Sequence, residues 1–409
     1  MKRLILVLAV SLVVILSAQA IAPAATVKTT NERITQLVTR VNNVEAHDNG
    51  QDPRIAALEA KVAELEKGSG GEEPPTEEPP IEEANGCTAT VNSLSAVQAN
   101  LGAGKTVCLA DGSYGTLSFS GPGTVVALHP GSVTLSHATI SGTDGHLERV
   151  TVTNGVTLAV GSNGATIAHS TITGGGQGVD ACPSSTTYCT NMRIIGNRLV
   201  GPFGEDAIHA NRYHKLTVEG NEITQVRENG NHSDCFQTVW EGDEIVFRKN
   251  YLHDNRCQGF FVKDQTLGGG GAVDGILFEN NLLVRNHEPC GPPLTSCGQP
   301  AYVQIFGPYT GLKIRRNTIW GDGADSDLYL REGVGTGTQI EGNVIYRFWT
   351  DTNASGATMA NNTRCVIETA SGASWPASQP GNETICTAAA PGTAERGIDW
   401  NPTTQHYGP

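Results

Sequence analysis

The chain has 409 residues, 17% of them charged, a formal net charge of −14, 49 glycines and only 6% aromatics. That length leaves room for one long core and further segments, and the absence of a basic stripe excludes nucleic acid as a partner. Six glutamates lie in 68–86 alone, so the acidity says little about what the rest of the chain binds.

Residues 1–25 read as an export signal: Lys2-Arg3, an apolar run Leu4 to Leu16, then Ser17-Ala18-Gln19-Ala20. A second reading stays open, an uncleaved membrane anchor, because apolar residues continue through Ala25. Either way the expected location is secreted or cell surface. Residues 31–67 carry Ile34, Leu37, Val41 and Val44, then Ile55, Leu58, Val62 and Leu65, the three-four spacing of a short coiled coil. Arg54-Ile55-Ala56-Ala57-Leu58-Glu59 resembles the signature of parallel trimers, which implies a homotrimer; a solvated stalk helix is the competing reading. Residues 68–86, with four prolines and six glutamates, form an extended linker.

The body, 87–350, is governed by one eight-residue phrase that recurs six times: MRIIGNRL, LTVEGNEI, IVFRKNYL, ILFENNLL, LKIRRNTI and TQIEGNVI. Its sixth residue is always asparagine (Asn197, Asn221, Asn250, Asn281, Asn317, Asn343), at spacings of 24, 29, 31, 36 and 26. Its third is apolar and its eighth is Leu or Ile, so the phrase reads as a strand in a solenoid of variable turns. One asparagine per turn can take left-handed geometry at a bend and bond its neighbour in the next turn. The front, Cys87 to Leu109, is expected to cap the coil with a short helix bearing Val91, Leu94, Val97 and Leu101. Residues 351–409 lose the register and read as a C-terminal strap, with Trp375 and Trp400 as plugs.

On these phrases the chain resembles the right-handed parallel β-helix proteins of the pectate-lyase-like superfamily, over roughly 110–350. The resemblance implies an all-β parallel solenoid and, as an expectation, action on polysaccharide. The chain departs from the best-known subfamilies. It lacks the adjacent Asp-Asp, Gly-His-Gly and Arg-Ile-Lys phrases of polygalacturonases, and the Trp-Ile-Asp-His and Arg-x-Pro-x-x-Arg phrases of pectate lyases.

Ten cysteines fit an oxidising compartment, and their order suggests local pairs: Cys87–Cys108, Cys182–Cys189, Cys235–Cys257, Cys290–Cys297 and Cys365–Cys386. No C-x-x-C pair points to zinc.

A second strand follows each phrase. If Val179, Ile208, Phe236, Phe260 and Val303 face inward, then Asp180, His209, Gln237, Phe261 and Gln304 stack outward, with Asn211 and Lys263 one step beyond. A slip of one residue would turn Lys263 away. The densest polar stretch, Glu228 to Gln237, contains His232, Asp234 and Gln237 in a His-x-Asp-x-x-Gln phrase. Elimination or C5 epimerisation of an acidic polysaccharide needs a base beside a neutralised carboxylate. Lys263, His209, His232 and Asp234 are the catalytic candidates, and Asp180, Asp206 and Asp234 are candidate calcium ligands. Gln237, Asn211, Gln304 and Tyr302 are the substrate-binding candidates, and Tyr302, Phe306, Tyr309 and Trp240 a candidate sugar-stacking shelf. Two alternatives stay open: a glycoside hydrolase built on Asp206 with Asp234 or Asp180, and a non-catalytic glycan-binding stalk. His253 is expected to bond backbone.

Overall fold

The structure is a computed structural model and describes residues 86–184, 186–227, 233–240, 242–255, 257–263, 273–284, 301–307, 309–320, 326–331, 337–350 and 357–369, with the short strands Glu383–Thr384, Trp400–Asn401 and His406–Tyr407. The chain divides into two compact units, Met1–Pro79 and Pro80–Pro409. The signal segment, the coiled coil, nearly all of the linker, His232, Glu228, Cys290 and Cys297, and Trp375 lie outside the described residues.

The second unit is a coil of short parallel strands on three faces. The first face contains Cys189–Ile195, Tyr213–Glu219, Gly242–Arg248 and Leu277–Glu279, paired in parallel register. The second contains Arg198–Val200, Glu222–Thr224, Tyr251–His253 and Leu282–Val284. The third contains Val179–Ala181, Ile208–Ala210, Gln237–Thr238, Phe260–Val262 and Ala301–Phe306. The long strands Val133–Ser141 and Val344–Thr350 run through the bend between the second and third faces and join them into one sheet.

The repeated phrase straddles a corner rather than forming one strand. Its third residue lies one before the end of a strand of the first face, its eighth lies in the second face, and Asn occupies the bend between them. The left-handed residue is not the asparagine but the one before it: Gly196, Gly220, Lys249, Asn280, Arg316 and Gly342 all have φ between 53° and 68°. That frees each Asn to bond along the coil. Asn250 illustrates the rung: its backbone N–H and its Nδ2 both donate to Asn281 Oδ1, at 2.9 and 3.1 Å, and Nδ2 also donates to Val218 O at 3.0 Å. The same three bonds recur from Asn197 through Asn343, all on residues at most 1% exposed.

The ladder runs past both expected ends. Ser170 takes the asparagine place at the front, its N–H donating to Asn197 Oδ1. Asn362 takes it at the back, and Thr363–Thr369 pairs with Val344–Thr350. The coil therefore continues beyond residue 350 into the stretch read as a strap. Inside, the third and eighth positions and the inward residues of the third face form one apolar core, with stacked Phe236–Phe260 and Phe247–Phe278 pairs at ring distances of 5.0 and 5.4 Å. At the front, the helix Leu94–Asn100 buries Val97 and packs Leu94 on that core with Leu101 just past its end, while Val91, expected on the same helix, lies in the preceding strand Ala89–Val91.

Disulfides join Cys87–Cys108, Cys182–Cys189 and Cys235–Cys257. Among the described residues no helix is long and apolar enough to cross a membrane.

Candidate active site

Val179, Ile208, Phe236, Phe260 and Val303 are all fully buried. With the period of two, their neighbours face outward, and the register places Asp180, His209, Gln237, Phe261, Gln304 and Tyr329 in one row across six turns. No slip occurs, so Lys263 falls one step further along the same outer face. It follows Val262, which pairs with Thr238 and Ile305.

The chemistry in this row centres on His209. Its Nδ1 lies 3.4 Å from Asp180 Oδ1, and the two side chains are 16% and 28% exposed. Burial pulls the imidazole pKa down, but the Asp180 bond and the charges of Asp206, Asp180 and Glu205 outweigh it, so His209 stays above its ordinary value. Asp180 holds one ring nitrogen, and among the described residues no bond is made by Nε2. This arrangement, a carboxylate orienting an imidazole whose other nitrogen is open, suits general acid–base work.

Behind the row lie Asp206 and Asp234, 3% and 0% exposed. Asp206 Oδ1 accepts the backbone N–H of Asp234 at 2.8 Å, and Asp234 Oδ2 accepts Gln237 Nε2 at 2.6 Å. Burial, and then the charge of Asp234, push the Asp206 carboxyl up to about 7. Each of the three candidate calcium ligands has a partner of its own within the protein. Asp180 turns to His209 while Asp206 and Asp234 are spent on internal bonds, and among the described residues no group of three or more His, Cys, Asp or Glu side chains could hold a metal. Both carboxyl groups are buried, whereas Asp180, the other candidate for a hydrolytic pair, is 28% exposed.

Other candidates change place. Tyr302 is 1% exposed, its ring packed on the bare backbone of Gly259, where a Cβ would come within 2.8 Å. Gln304 is 2% exposed and accepts Gln258 Nε2 at 2.6 Å. Tyr309 and Phe306 are also buried, so of the expected shelf only Trp240 reaches the surface. Lys263 carries its Nζ over the Phe306 ring at 5.2 Å. It lies two turns and two residues from His209, a backbone separation of about 12 Å at ordinary sheet spacings. The candidates thus spread over about two sugar units.

Sequence reasoning passed over Tyr188 and Arg212, which sit at the corner after the third face. It also misassigned His253, whose Nε2 lies 2.9 Å from Glu222 and Nδ1 2.8 Å from Asp254. Aligning the residues just before Cys189, Tyr213 and Gly242, which share one register, would have brought the first two together.

Residues 124–319 match the family described as "Right handed beta helix region". Over these residues the protein is a right-handed parallel β-helix, as the repeat implied. No curated protein sequence matches the chain. Among solved structures, the Dettilon tailspike protein is 16% identical with a TM-score of 0.42, covering 68% of this chain and 59% of its own. The alginate lyase of Paenibacillus sp. str. FPU-7 is 11% identical with a TM-score of 0.37, covering 73% and 98%. DFA-IIIase from Arthrobacter chlorophenolicus A6 without its lid is 14% identical with a TM-score of 0.37, covering 69% and 71%. At such identities the likeness is one of fold alone.

Proposed function

We propose that the protein is an exported carbohydrate-active enzyme that takes a proton from an acidic polysaccharide lying along the third face, as a lyase or C5-epimerase. The observation that carries this reading is the Asp180–His209 pair, partly exposed on the outward row, with one imidazole nitrogen making no bond among the described residues. His209 Nε2 accepts the C5 proton of a uronate unit. In elimination the C5–H electrons form a C4–C5 double bond, the C4–O bond breaks, and the departing oxygen takes a proton from solvent; in epimerisation a proton returns to the other face of C5. Lys263 supplies a cation for a carboxylate of the polymer, and Gln237 and Asn211 supply amides. Three disulfides in the described residues agree with an oxidising location.

A second reading, a glycan-binding protein without catalysis, is supported by the separation of His209 and Lys263. One experiment divides them: the full chain is incubated with pectate, alginate and glycosaminoglycans while ultraviolet absorbance follows unsaturated uronyl ends, and deuterium uptake from heavy water follows C5 exchange. Either signal, lost in His209→Ala, supports the enzyme. Binding without either signal supports the second reading.

A further inference from the structure

We propose that Tyr188, Arg212 and Trp240 form a sugar-binding subsite beside the His209 row, in which a pyranose ring of the same polysaccharide stacks on Trp240. This inference rests on the functional reading above and adds a place where the polymer leaves the row.

The three residues stand at one corner of three successive turns. Cys189, Tyr213 and Gly242 pair in register, so Tyr188 and Arg212 stack directly and Trp240 lies two residues before the third strand. The strands that feed this corner are those of Asp180, His209 and Gln237. Only Ala210 and Asn211 separate His209 from Arg212, and the Cys182–Cys189 bridge ties down the loop that ends in Tyr188.

The corner is built rather than incidental. The Arg212 guanidinium lies 5.6 Å from the Tyr188 ring centre and 5.9 Å from that of Trp240, and its Nη1 donates to the Tyr188 hydroxyl at 3.3 Å. Tyr188 in turn stacks on His214 at 4.4 Å with 9° between the planes, and His214 is anchored by Asp243 at 2.8 Å. The rings are held in place before any ligand arrives, which lowers the entropy lost on binding. Tyr188, Arg212 and Trp240 are all partly exposed.

The chemistry matches a sugar. Apolar pyranose faces pack on aromatic rings, while the hydroxyls at the ring edge need donors and acceptors alongside. Arg212 and His214 provide donors.

The test uses the full chain carrying His209→Ala, so that binding is read without turnover, with galacturonate and mannuronate oligosaccharides as probes in calorimetry. Trp240→Ala should weaken binding about 10-fold or more, and Trp240→Phe should recover most of it. Equal affinity of Trp240→Ala and its parent would overturn the subsite and leave the reading of the row standing. A loss that Trp240→Phe does not recover, with lowered thermal stability in both variants, would mark a packing role and also overturn it. If the parent itself binds none of the probes, the reading of the row falls as well.

Discussion

Two histidines on neighbouring faces of the coil, His209 and His253, differ in what is left over once their bonds are made. His253 is locked between Glu222 and Asp254, stacked on Tyr251 at 4.1 Å, and Glu222 is further held by Arg198 at 2.9 Å. Both its nitrogens face carboxylates, which raise its pKa and close the network. His209 has one carboxylate at 3.4 Å and a second nitrogen that makes no bond among the described residues. Both sit above the ordinary imidazole pKa, so the shift alone does not separate a functional histidine from a structural one; the open nitrogen does.

The largest expected effect tests this contrast directly. His209→Ala should lower turnover about 100- to 10,000-fold with an unchanged melting temperature, while His253→Gln should lower the melting temperature and keep turnover. The reverse pattern would break the comparison. Because a general base must be neutral, activity should rise with pH through the raised pKa of His209. Asp180→Asn should move that acid limb to lower pH as well as slowing the reaction, read from the pH profile of kcat/KM.

Next comes Asp206, which is raised from 3.8 to about 7 in the folded chain. The folded state then holds a proton that the unfolded state has lost, so stability falls as pH rises from about 4 to about 7. The loss is roughly 4 kcal/mol at most, since burial shifts of this kind relax. Asp206→Asn keeps an acceptor for the Asp234 N–H and removes the charge. Denaturant melts should show it more stable than the parent at pH 8 and nearly equal at pH 4.

In the ladder, Asn281→Ala removes the acceptor used by both nitrogens of Asn250 and the donor to Phe247 O. The expected loss is about 2–4 kcal/mol by chemical denaturation.

The smallest effect belongs to the His253 network. Its histidine contribution is present below about pH 6.5 and is lost as pH rises through the raised folded pKa. Glu222 carries a folded pKa below its ordinary value, because His253 and Arg198 outweigh burial, so its contribution fails as pH falls through that value. His253→Gln should therefore cost about 1 kcal/mol or more near pH 6 and less near pH 9. An equal cost at both would show that packing on Tyr251, not charge, holds the network.

Much of the fold was legible because its determinant is periodic and local. One asparagine at a fixed place, with apolar residues three before and two after it, announces the turn whatever its length. The final turn was missed because Arg364 stands where Leu or Ile is the rule, although Met359 and Asn362 are in place. The outward row was legible from alternation alone. Exposure was not: Tyr302 and Gln304 occupy outward or edge positions yet are buried, and what buries them comes from residues far away in the chain. One partner of His253, Glu222, lies 31 residues earlier, at a position that only register supplies.

Every rung of the asparagine ladder accepts from the rung before it and donates to the rung after it, so neighbouring rungs are interchangeable. Joining Asn221 to the residue after Asn250 would delete one whole turn and still leave each amide with its partners. The length of this protein can therefore change by whole turns at little cost to the spine, while a deletion of any other size would leave a rung unmatched. What such a deletion alters is the outer row, where His209 would meet a new neighbour. The spine is built to vary in number, and the surface chemistry to vary in order.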